Sequence, residues 1–552
     1  MGDYARITQE EKIKSLTTII SSISLILVFL RILVLSDMMS DMPGANAVFA
    51  ASYEIFCVIT VLTAYTFSIS VSKMVRARIK HGQIRNAFKV LRSAVVISLI
   101  IGGMLSFAFY LFPGFFAGIT ATDAATFAVK QLAPVIVLLC LSGSIRGFLS
   151  GFEIEIPCAL ISVLEQIIVF GVSILGMRYY KTYGIKVSNL LMNEEYRAIY
   201  AVKGCMIGVI CGALVGVVLY ILVYYMNRIK FKKLLRKDTT IRDENYGQVS
   251  NIFFRSVIPY AIVLFLFIMH TFVSQRYLNV FFSGKGNAAY SVKYYGVYYM
   301  NFRAFIIIPV ILFFMALKNE EYTVYKYAKN NDVRRIREYL QFLIRKLLLF
   351  AFPVSCFVMI MSGRIVTLIS GAYSEVVGYI MVPGALLILL YSLIFATTKV
   401  LFGMRKIKEL FVVLVVANAM YFVALIFMVN NLNMGIEALV VSALVFALFV
   451  VLGNFIFIKR YVGYRQELLY SIFIPYIASF AMGVVFFVIQ TIIGEKINPL
   501  IVLSVAAMIG FIVFWIVIGA LKGIQKDELE DIPTGKLAYY LLAKTGFLEE
   551  KE

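Results

Sequence analysis

Long apolar runs separated by short polar segments recur along the whole chain. Each run has about twenty residues or more, enough for a helix to cross a hydrocarbon core about 30 Å thick. We predict fourteen membrane-spanning helices, at 15–37, 46–72, 93–115, 126–145, 157–178, 199–226, 251–275, 291–317, 347–363, 377–402, 410–429, 434–458, 467–492 and 498–520. An even number of spans places both termini on the same side of the membrane.

The composition agrees with an all-α polytopic membrane protein. The chain has 552 residues, of which 61% are hydrophobic and only 15% are charged, and its mean hydropathy is +0.89. Soluble domains carry about a quarter charged residues. The first apolar run is interpreted as an uncleaved span, because the small-residue sequence "GANA" at 44–47 lies well beyond its end.

Basic residues are distributed unequally between the two sides of the membrane. Of the 52 Lys and Arg residues, 37 lie in segments on the N-terminal side and nine on the opposite side. This bias predicts that both termini are cytoplasmic. The segment "RIKFKKLLRK" (228–237) is interpreted as a juxtamembrane loop that faces anionic lipid, and no nucleic-acid partner is predicted.

A weak internal repeat predicts the domain organisation. Segments 76–98 and 326–350 resemble each other, as do 111–121 and 361–374, with an offset of about 250 residues. Two pseudo-symmetric lobes of six helices follow, related by an axis along the membrane normal. We predict an N-lobe at 1–226, a cytoplasmic basic inter-lobe loop at 227–250, a C-lobe at 251–458, two further helices at 459–521 and a cytoplasmic amphipathic tail at 522–552.

Residues for enzyme chemistry are scarce. The six cysteines have no CxxC spacing and there are two histidines, so no disulfide framework and no metal site is predicted. The longest outer segment, 181–197, has no His and no Ser/His/Asp grouping, and no GxxxxGK[ST] motif occurs. The protein is therefore predicted not to be an enzyme and to need no cofactor. Any driving force is an ion gradient, with Na⁺ and H⁺ both left open.

Charged residues inside spans are the candidates for function. Arg31 and Glu54 fall in the outer parts of spans 1 and 2, where a structural ion pair is favoured over a role in a cavity. Glu165 lies in the middle of span 5, with no obvious cation at its depth. It is interpreted as a helix–helix hydrogen-bond anchor, with binding of a coupling ion as the alternative.

Arg303 interrupts the apolar run "VYYMNFRAFIIIPVILFF" (297–314). From the middle of a span its side chain reaches neither interface, so it must face protein or water. Asn301 is nearby, and His270 in span 7 is interpreted as a core histidine, with a position beside Arg303 as the alternative. Because a guanidinium fork matches phosphate oxygens, Arg303 predicts an anionic ligand.

Span 6 carries a glycine at every fourth position, at Gly204, Gly208, Gly212 and Gly216. This spacing gives the helix one smooth face. It predicts close packing against a neighbouring helix, with a ligand groove as the alternative.

Several motifs resemble those of one transporter family. They are "RGFLSGF" (146–152), Pro157, Glu165-Gln166, "TTKVLFGMRK" (397–406) and the tail "IQKDELEDIPTGKLAYYLLAKTGFL" (524–548). The chain is similar to the polysaccharide-flippase branch of the MOP superfamily. That branch includes stage V sporulation protein B and stands beside the lipid II flippase MurJ and the MATE exporters.

The resemblance implies a flippase of the bacterial cytoplasmic membrane. Its substrate would be an undecaprenyl-pyrophosphate-linked glycan, either lipid II or a polysaccharide repeat unit, moved by alternating access of the two lobes. The family's cavity arginines on spans 1 and 8 match Arg31 and Arg303 here. Arg255, nearer the cytoplasm, is a third candidate for the pyrophosphate.

Two alternatives stay open. A MATE-like cation–drug antiporter would need an acid in its cavity, and the acids within spans are few. A non-transporting scaffold would recruit cell-wall synthesis enzymes through the basic loops and the tail.

Overall fold

The computed structural model describes residues 2–317, 320–369, 374–493, 497–524 and 535–544, and these are helical with no strand. Fourteen helices are long and apolar enough to cross a membrane, as predicted. Numbered as spans 1 to 14, they are Ser15–Met38, Ala45–Lys80, Ile84–Leu111, Ala133–Gly151, Glu155–Leu191, Glu195–Met226, Tyr246–Gly284, Tyr294–Phe313, Val333–Ile360, Leu386–Gly403, Ile407–Asn430, Glu437–Val462, Leu469–Ile492 and Pro499–Ala520.

The chain divides into two compact units, Met1–Met300 and Asn301–Glu552. This division falls inside span 8, whereas the sequence repeat places the lobe boundary at the basic loop 227–250. Span 7 and the beginning of span 8 thus belong with the first six spans. The arrangement of two six-helix lobes stays a prediction.

The first unit adds short elements to its spans. Its other helices are Pro113–Gly118, Thr126–Gln131, Arg228–Arg236 and Ala288–Val297, with a 3₁₀ turn at Asp123–Ala125. Span 1 is the apolar part of a longer helix, Gly2–Met38, and span 2 consists of Ala45–Thr60 and Thr66–Lys80 on either side of a π-helix at Val61–Tyr65. A second π-helix, Tyr298–Arg303, joins Ala288–Val297 to Ala304–Leu317 within span 8.

The second unit has further helices at Glu320–Lys329, Ser362–Ile369, Ser374–Gly384 and Gly535–Lys544. Span 13 begins with a π-helix, Leu469–Phe473, and continues as Ile474–Ile493. The helix Gly535–Lys544 packs against span 14 and buries Ala538 and Leu542. Residues 525–534 and 545–552 of the predicted tail lie outside the described residues.

Helix ends are where the sequence-based prediction was wrong. Span 5 was predicted to end at residue 178, but its helix runs from Glu155 to Leu191, so most of the supposed outer loop 181–197 is helical. Its 37 residues reach about 55 Å, well beyond the hydrocarbon core. Hydropathy falls where the chain leaves the membrane, but a helix can continue into water with its backbone hydrogen bonds intact.

The glycine face of span 6 packs closely against span 5, as predicted. A Cβ atom added at Gly204 would lie 2.5 Å from the carbonyl carbon of Gly176. One added at Gly208 would lie 2.6 Å from the backbone nitrogen of Ser173. The two backbones therefore approach too closely for any side chain at these positions.

The segment that follows helix Arg228–Arg236, residues 238–245, is bound to the beginning of span 3 and is called the strap. The Oδ1 atom of Asp238 accepts hydrogen bonds from the N–H groups of Ile84, at 2.8 Å, and Arg85, at 3.1 Å. These two residues open span 3, so Asp238 caps that helix from a distant part of the chain. The Arg85 guanidinium also pairs with Asp238, with Nε and Oδ2 3.2 Å apart.

Further contacts hold the other end of the strap. Asn86 donates to the Arg242 carbonyl at 3.0 Å and accepts from the Glu244 N–H at 3.1 Å. Glu244 pairs with the buried Arg78 at 2.6 Å, and Asp243 pairs with Lys89 at 2.8 Å. The strap therefore belongs to the first unit as a fixed element.

Asp238→Ala is expected to release the strap. Its side chain is 4% exposed, and removing a helix cap costs about 1–2 kcal/mol, which raises local opening about 5–30-fold. Limited trypsin digestion of the purified protein should then cut faster after Arg242. Ile241→Ala is the control, because the Ile241 side chain is fully exposed and the substitution leaves the bond after Arg242 unchanged. Equal cleavage of both variants would contradict the capping role.

Lowering the pH should release the strap, as Asp238→Ala does, because protonation of Asp238 weakens its cap on span 3. Burial acts to raise the pKa of Asp238, but hydrogen bonds from Thr240 and from the Ile84 and Arg85 N–H groups, with the Arg85 charge, lower the pKa overall. Because the pKa of Asp238 is lower in the folded protein, its carboxylate stabilises the folded strap fully at pH values above the ordinary aspartate pKa of 3.8. That contribution should disappear as the pH falls through the folded pKa, with no change between pH 6 and 8.

Candidate functional site

Arg31 in span 1 is fully enclosed by the first unit, with 1% of its surface exposed. Its Nη2 donates to the Tyr53 hydroxyl at 2.7 Å, and the guanidinium carbon lies 5.1 Å from the centre of the Tyr53 ring. The Nε and Nη1 atoms are buried, and no hydrogen-bond acceptor lies within reach of them among the described residues. A buried cation with two open donors is costly unless an anion joins it.

Glu54, next to Tyr53 on span 2, is also buried. The Tyr295 hydroxyl lies 2.8 Å from Glu54 Oε1 and 2.9 Å from the carbonyl oxygen of Thr271. Tyrosine hydroxyls therefore contact both charged residues of this region. The direct ion pair between Arg31 and Glu54 stays a prediction.

The C-terminal half of span 7 carries a row of buried polar residues that begins at His270 and Thr271. One and two turns further on, Gln275 and Asn279 are buried as well. The Asn279 amide donates to the Thr120 carbonyl at 3.0 Å and to the Thr122 hydroxyl at 3.1 Å. His270 therefore belongs to a polar face within the first unit, and the alternative position beside Arg303 stays a prediction.

Arg303 is the last residue of the π-helix Tyr298–Arg303 and is half-buried in the second unit. Asn301 is buried two residues earlier. Arg303 lies within electrostatic range of Tyr391 on span 10. A π-helix inserts an extra residue into the helical turn, which rotates the residues that follow, and such insertions are frequent at functional sites.

Glu165 has a cation at its depth, contrary to the sequence-based prediction. Arg146 on span 4 lies within electrostatic range of Glu165 and of Tyr220. The prediction was wrong because it ended span 4 at residue 145 and placed Arg146 in a loop, whereas the helix continues to Gly151. Glu165 also packs where Gly216 leaves room, since a Cβ there would lie 3.0 Å from its Oε2.

Arg255 lies two turns into span 7 and is exposed, whereas Arg31 is buried. Pro259 follows it by four residues within the same helix. Because proline has no N–H, the Arg255 carbonyl lacks its usual intrahelical donor, and the helix is weakened there. Among the predicted residues, Arg31 therefore contacts Tyr53, the neighbour of Glu54 in sequence, and Glu165 lies near Arg146.

Three residues of these groups were missed from the sequence: Tyr53, Tyr295 and Arg146. Tyr53 adjoins Glu54, so a search for hydroxyls beside buried acids would have found it. Tyr295 approaches Glu54 from 241 residues away, and no local pattern connects them. The chemistry that results is a buried guanidinium that donates to one phenol, Tyr53, and keeps two donors for an anionic guest.

Two proteins of Bacillus subtilis resemble the chain in sequence. No protein-family model matches the chain. The lipid II flippase MurJ of Bacillus subtilis (strain 168) is 22% identical over 501 residues, which is 86% of this chain and 89% of that protein. Stage V sporulation protein B of the same organism is 25% identical over 203 residues, or 36% of each chain.

Solved structures show the same fold. The lipid II flippase MurJ in an inward closed conformation aligns with a TM-score of 0.65 at 16% identity, over 91% of this chain and 97% of the other. An inward-facing multidrug resistance MATE transporter of the MOP superfamily aligns with a TM-score of 0.59 at 14% identity, over 82% and 96%.

Proposed function

We propose that this chain, which belongs to the MOP superfamily of multi-pass membrane transporters, is a flippase for an undecaprenyl-pyrophosphate-linked glycan. The observation that carries the proposal is the buried Arg31 guanidinium, whose Nε and Nη1 atoms have no acceptor within reach among the described residues. A membrane protein that encloses such a group provides strong binding for an anion in a medium of low dielectric constant.

A pyrophosphate is an anion that suits the open donors of Arg31. Its several oxygens can accept both open donors of one guanidinium at once. In the proposed mechanism Arg31 and Arg303 attract the pyrophosphate, Arg255 receives it nearer the cytoplasm, and the lipid tail stays in the bilayer. Alternating access of the two lobes then carries the glycan from the inner to the outer leaflet.

The substrate is proposed to be lipid II or a polysaccharide repeat unit. Similarity to a lipid II flippase along most of the chain supports the first, and the shorter similarity to stage V sporulation protein B is compatible with either. The excess of Lys and Arg on one side supports cytoplasmic termini. Coupling to Na⁺ or H⁺ is proposed to involve one of two acids within spans, Glu54 or Glu165.

A MATE-like cation antiporter is the second candidate, favoured by the MATE structures that share the fold and by the acids Glu54 and Glu165 within spans. Arg31 opposes it, since a buried cation repels a cationic drug. The two functions differ in what the protein moves. A flippase exposes labelled lipid-linked glycan on the outer leaflet, whereas an antiporter exports a cationic dye.

Complementation tests the proposed function. In a bacterial strain depleted of its lipid II flippase, the wild-type chain should restore growth and the exposure of lipid II on the outer leaflet. Rescue of a strain lacking a polysaccharide-unit flippase, without rescue of the first strain, would assign the other glycan. Failure in both strains with dye export in a sensitive host would overturn the proposal in favour of the antiporter.

A further inference from the structure

The short helix Arg228–Arg236, which follows span 6, is fixed to the first unit by one aromatic residue. Phe231 is buried among four rings, whose centres lie 5.1–5.8 Å away: Phe88, Phe148, Phe152 and Tyr224. Aromatic contacts of this kind add stability beyond the area they bury. The strap, anchored by Asp238, holds the other end of the helix, so its exposed face is presented in a fixed position.

That exposed face forms a groove of about 370 Å³ lined by Ile229, Lys230, Lys233, Leu234 and Lys237, here called the lysine groove. The spacing of the lysines, three and four residues apart, brings their ammonium groups to one side of the helix. Among the described residues, no acid forms an ion pair with any of these lysines, and the nearby Asp238, Asp243 and Glu244 are paired with Arg85, Lys89 and Arg78. The groove therefore concentrates positive charge without compensation.

Apolar surface adjoins the lysines. Ile229 is 63% exposed, and Met226, at the end of span 6, is 71% exposed. Span 6 crosses the membrane, so its end and the groove lie at the level of the lipid headgroups. Lysine side chains extend along apolar surface while their charges reach the phosphate layer.

We propose that the lysine groove binds the headgroup phosphate of an anionic phospholipid, with the acyl chains lying along Ile229 and Met226. The charge selects an anion, and the apolar border at membrane level selects a lipid over a soluble anion. Anionic leaflets attract such basic segments. This site is separate from the Arg31 region and does not depend on the proposed flippase activity.

Lipid binding to the full-length protein tests the site. The protein is reconstituted in phosphatidylcholine nanodiscs, and binding of a labelled phosphatidylglycerol is measured by energy transfer. Each lysine near a membrane surface contributes about fivefold in affinity. The triple variant Lys230→Gln, Lys233→Gln and Lys237→Gln should therefore bind phosphatidylglycerol at least tenfold more weakly, with no change for labelled phosphatidylcholine.

A matched control has the same change in charge on the same helix. It carries Arg228→Gln, Lys232→Gln and Arg236→Gln, residues that are exposed and lie outside the groove. The control should retain wild-type binding, and both variants should elute as the wild type does on gel filtration. Equal loss in both variants would overturn the site in favour of a diffuse charge effect. Competition by inorganic phosphate at the lipid's own concentration would overturn the lipid assignment in favour of a soluble anion.

Discussion

Replacing Arg31 by methionine is expected to abolish glycan flipping while leaving the folded protein in the membrane. Methionine keeps much of the buried volume but removes the charge and all donors. A hydrogen bond to a charged group contributes about 1.5–3 kcal/mol, so loss of the two open donors alone should lower substrate affinity at least 100-fold. The measurement is rescue of the flippase-depleted strain, together with the protein level in the membrane.

Tyr53→Phe separates an anion site from a structural contact. It removes the hydroxyl that accepts from Arg31 at 2.7 Å and keeps both the ring and the cation. If Arg31 binds the pyrophosphate, this variant should still rescue, and Arg31→Lys should rescue partly. If Arg31 serves only to hold Tyr53, the phenylalanine variant should fail as completely as the methionine variant.

Gly204→Val is expected to destabilise the first unit by forcing two packed helices apart. A Cβ there would lie 2.5 Å from the Gly176 carbonyl carbon and 2.9 Å from the Met177 nitrogen, so spans 5 and 6 would have to move apart. An overpacked side chain lowers the free energy of unfolding by about 1–3 kcal/mol. Because both contacting groups here are backbone atoms, which move less easily than side chains, we expect a loss at the upper end of that range. The midpoint of thermal unfolding in detergent should fall accordingly.

Gly171→Val on span 5 is the matched control. Within the part of the chain that the structure describes, no atom from beyond the adjoining turns of its own helix lies within 4 Å of a Cβ at that position, so the substitution changes helix propensity without a clash. Its midpoint should stay close to that of the wild type. Equal losses in the two variants would show that helix propensity, and not the close approach of the spans, sets the requirement for glycine.

The sequence predicted the features that depend on a local pattern of residues within one helix. Fourteen apolar runs predicted fourteen spans, and a glycine at every fourth position of span 6 predicted a close helix contact. Both follow from rules that act within one helix: length against membrane thickness, and side-chain size on one face.

Contacts between residues far apart in sequence, and local changes in helix type or length, were not predicted. The cap that Asp238 provides to Ile84 crosses 154 residues of sequence, and Arg146 was assigned to a loop because hydropathy does not mark the end of a helix. The π-helix that ends at Arg303 is composed of residues that also form α-helices, and it differs by one extra residue in its hydrogen-bonded turn. These features arise when helices pack together, so the sequence of a single helical segment does not predict them.

The hydrogen bond between Glu54 and Tyr295 sets an order of events during biosynthesis. The first unit extends to Met300, so its last piece leaves the ribosome long after spans 1 and 2 have been inserted. At about 5–20 residues per second, the 241 residues between Glu54 and Tyr295 take roughly 12–50 s to synthesise. During that interval the insertion machinery or the lipid must accommodate a glutamate whose tyrosine partner has not yet been made.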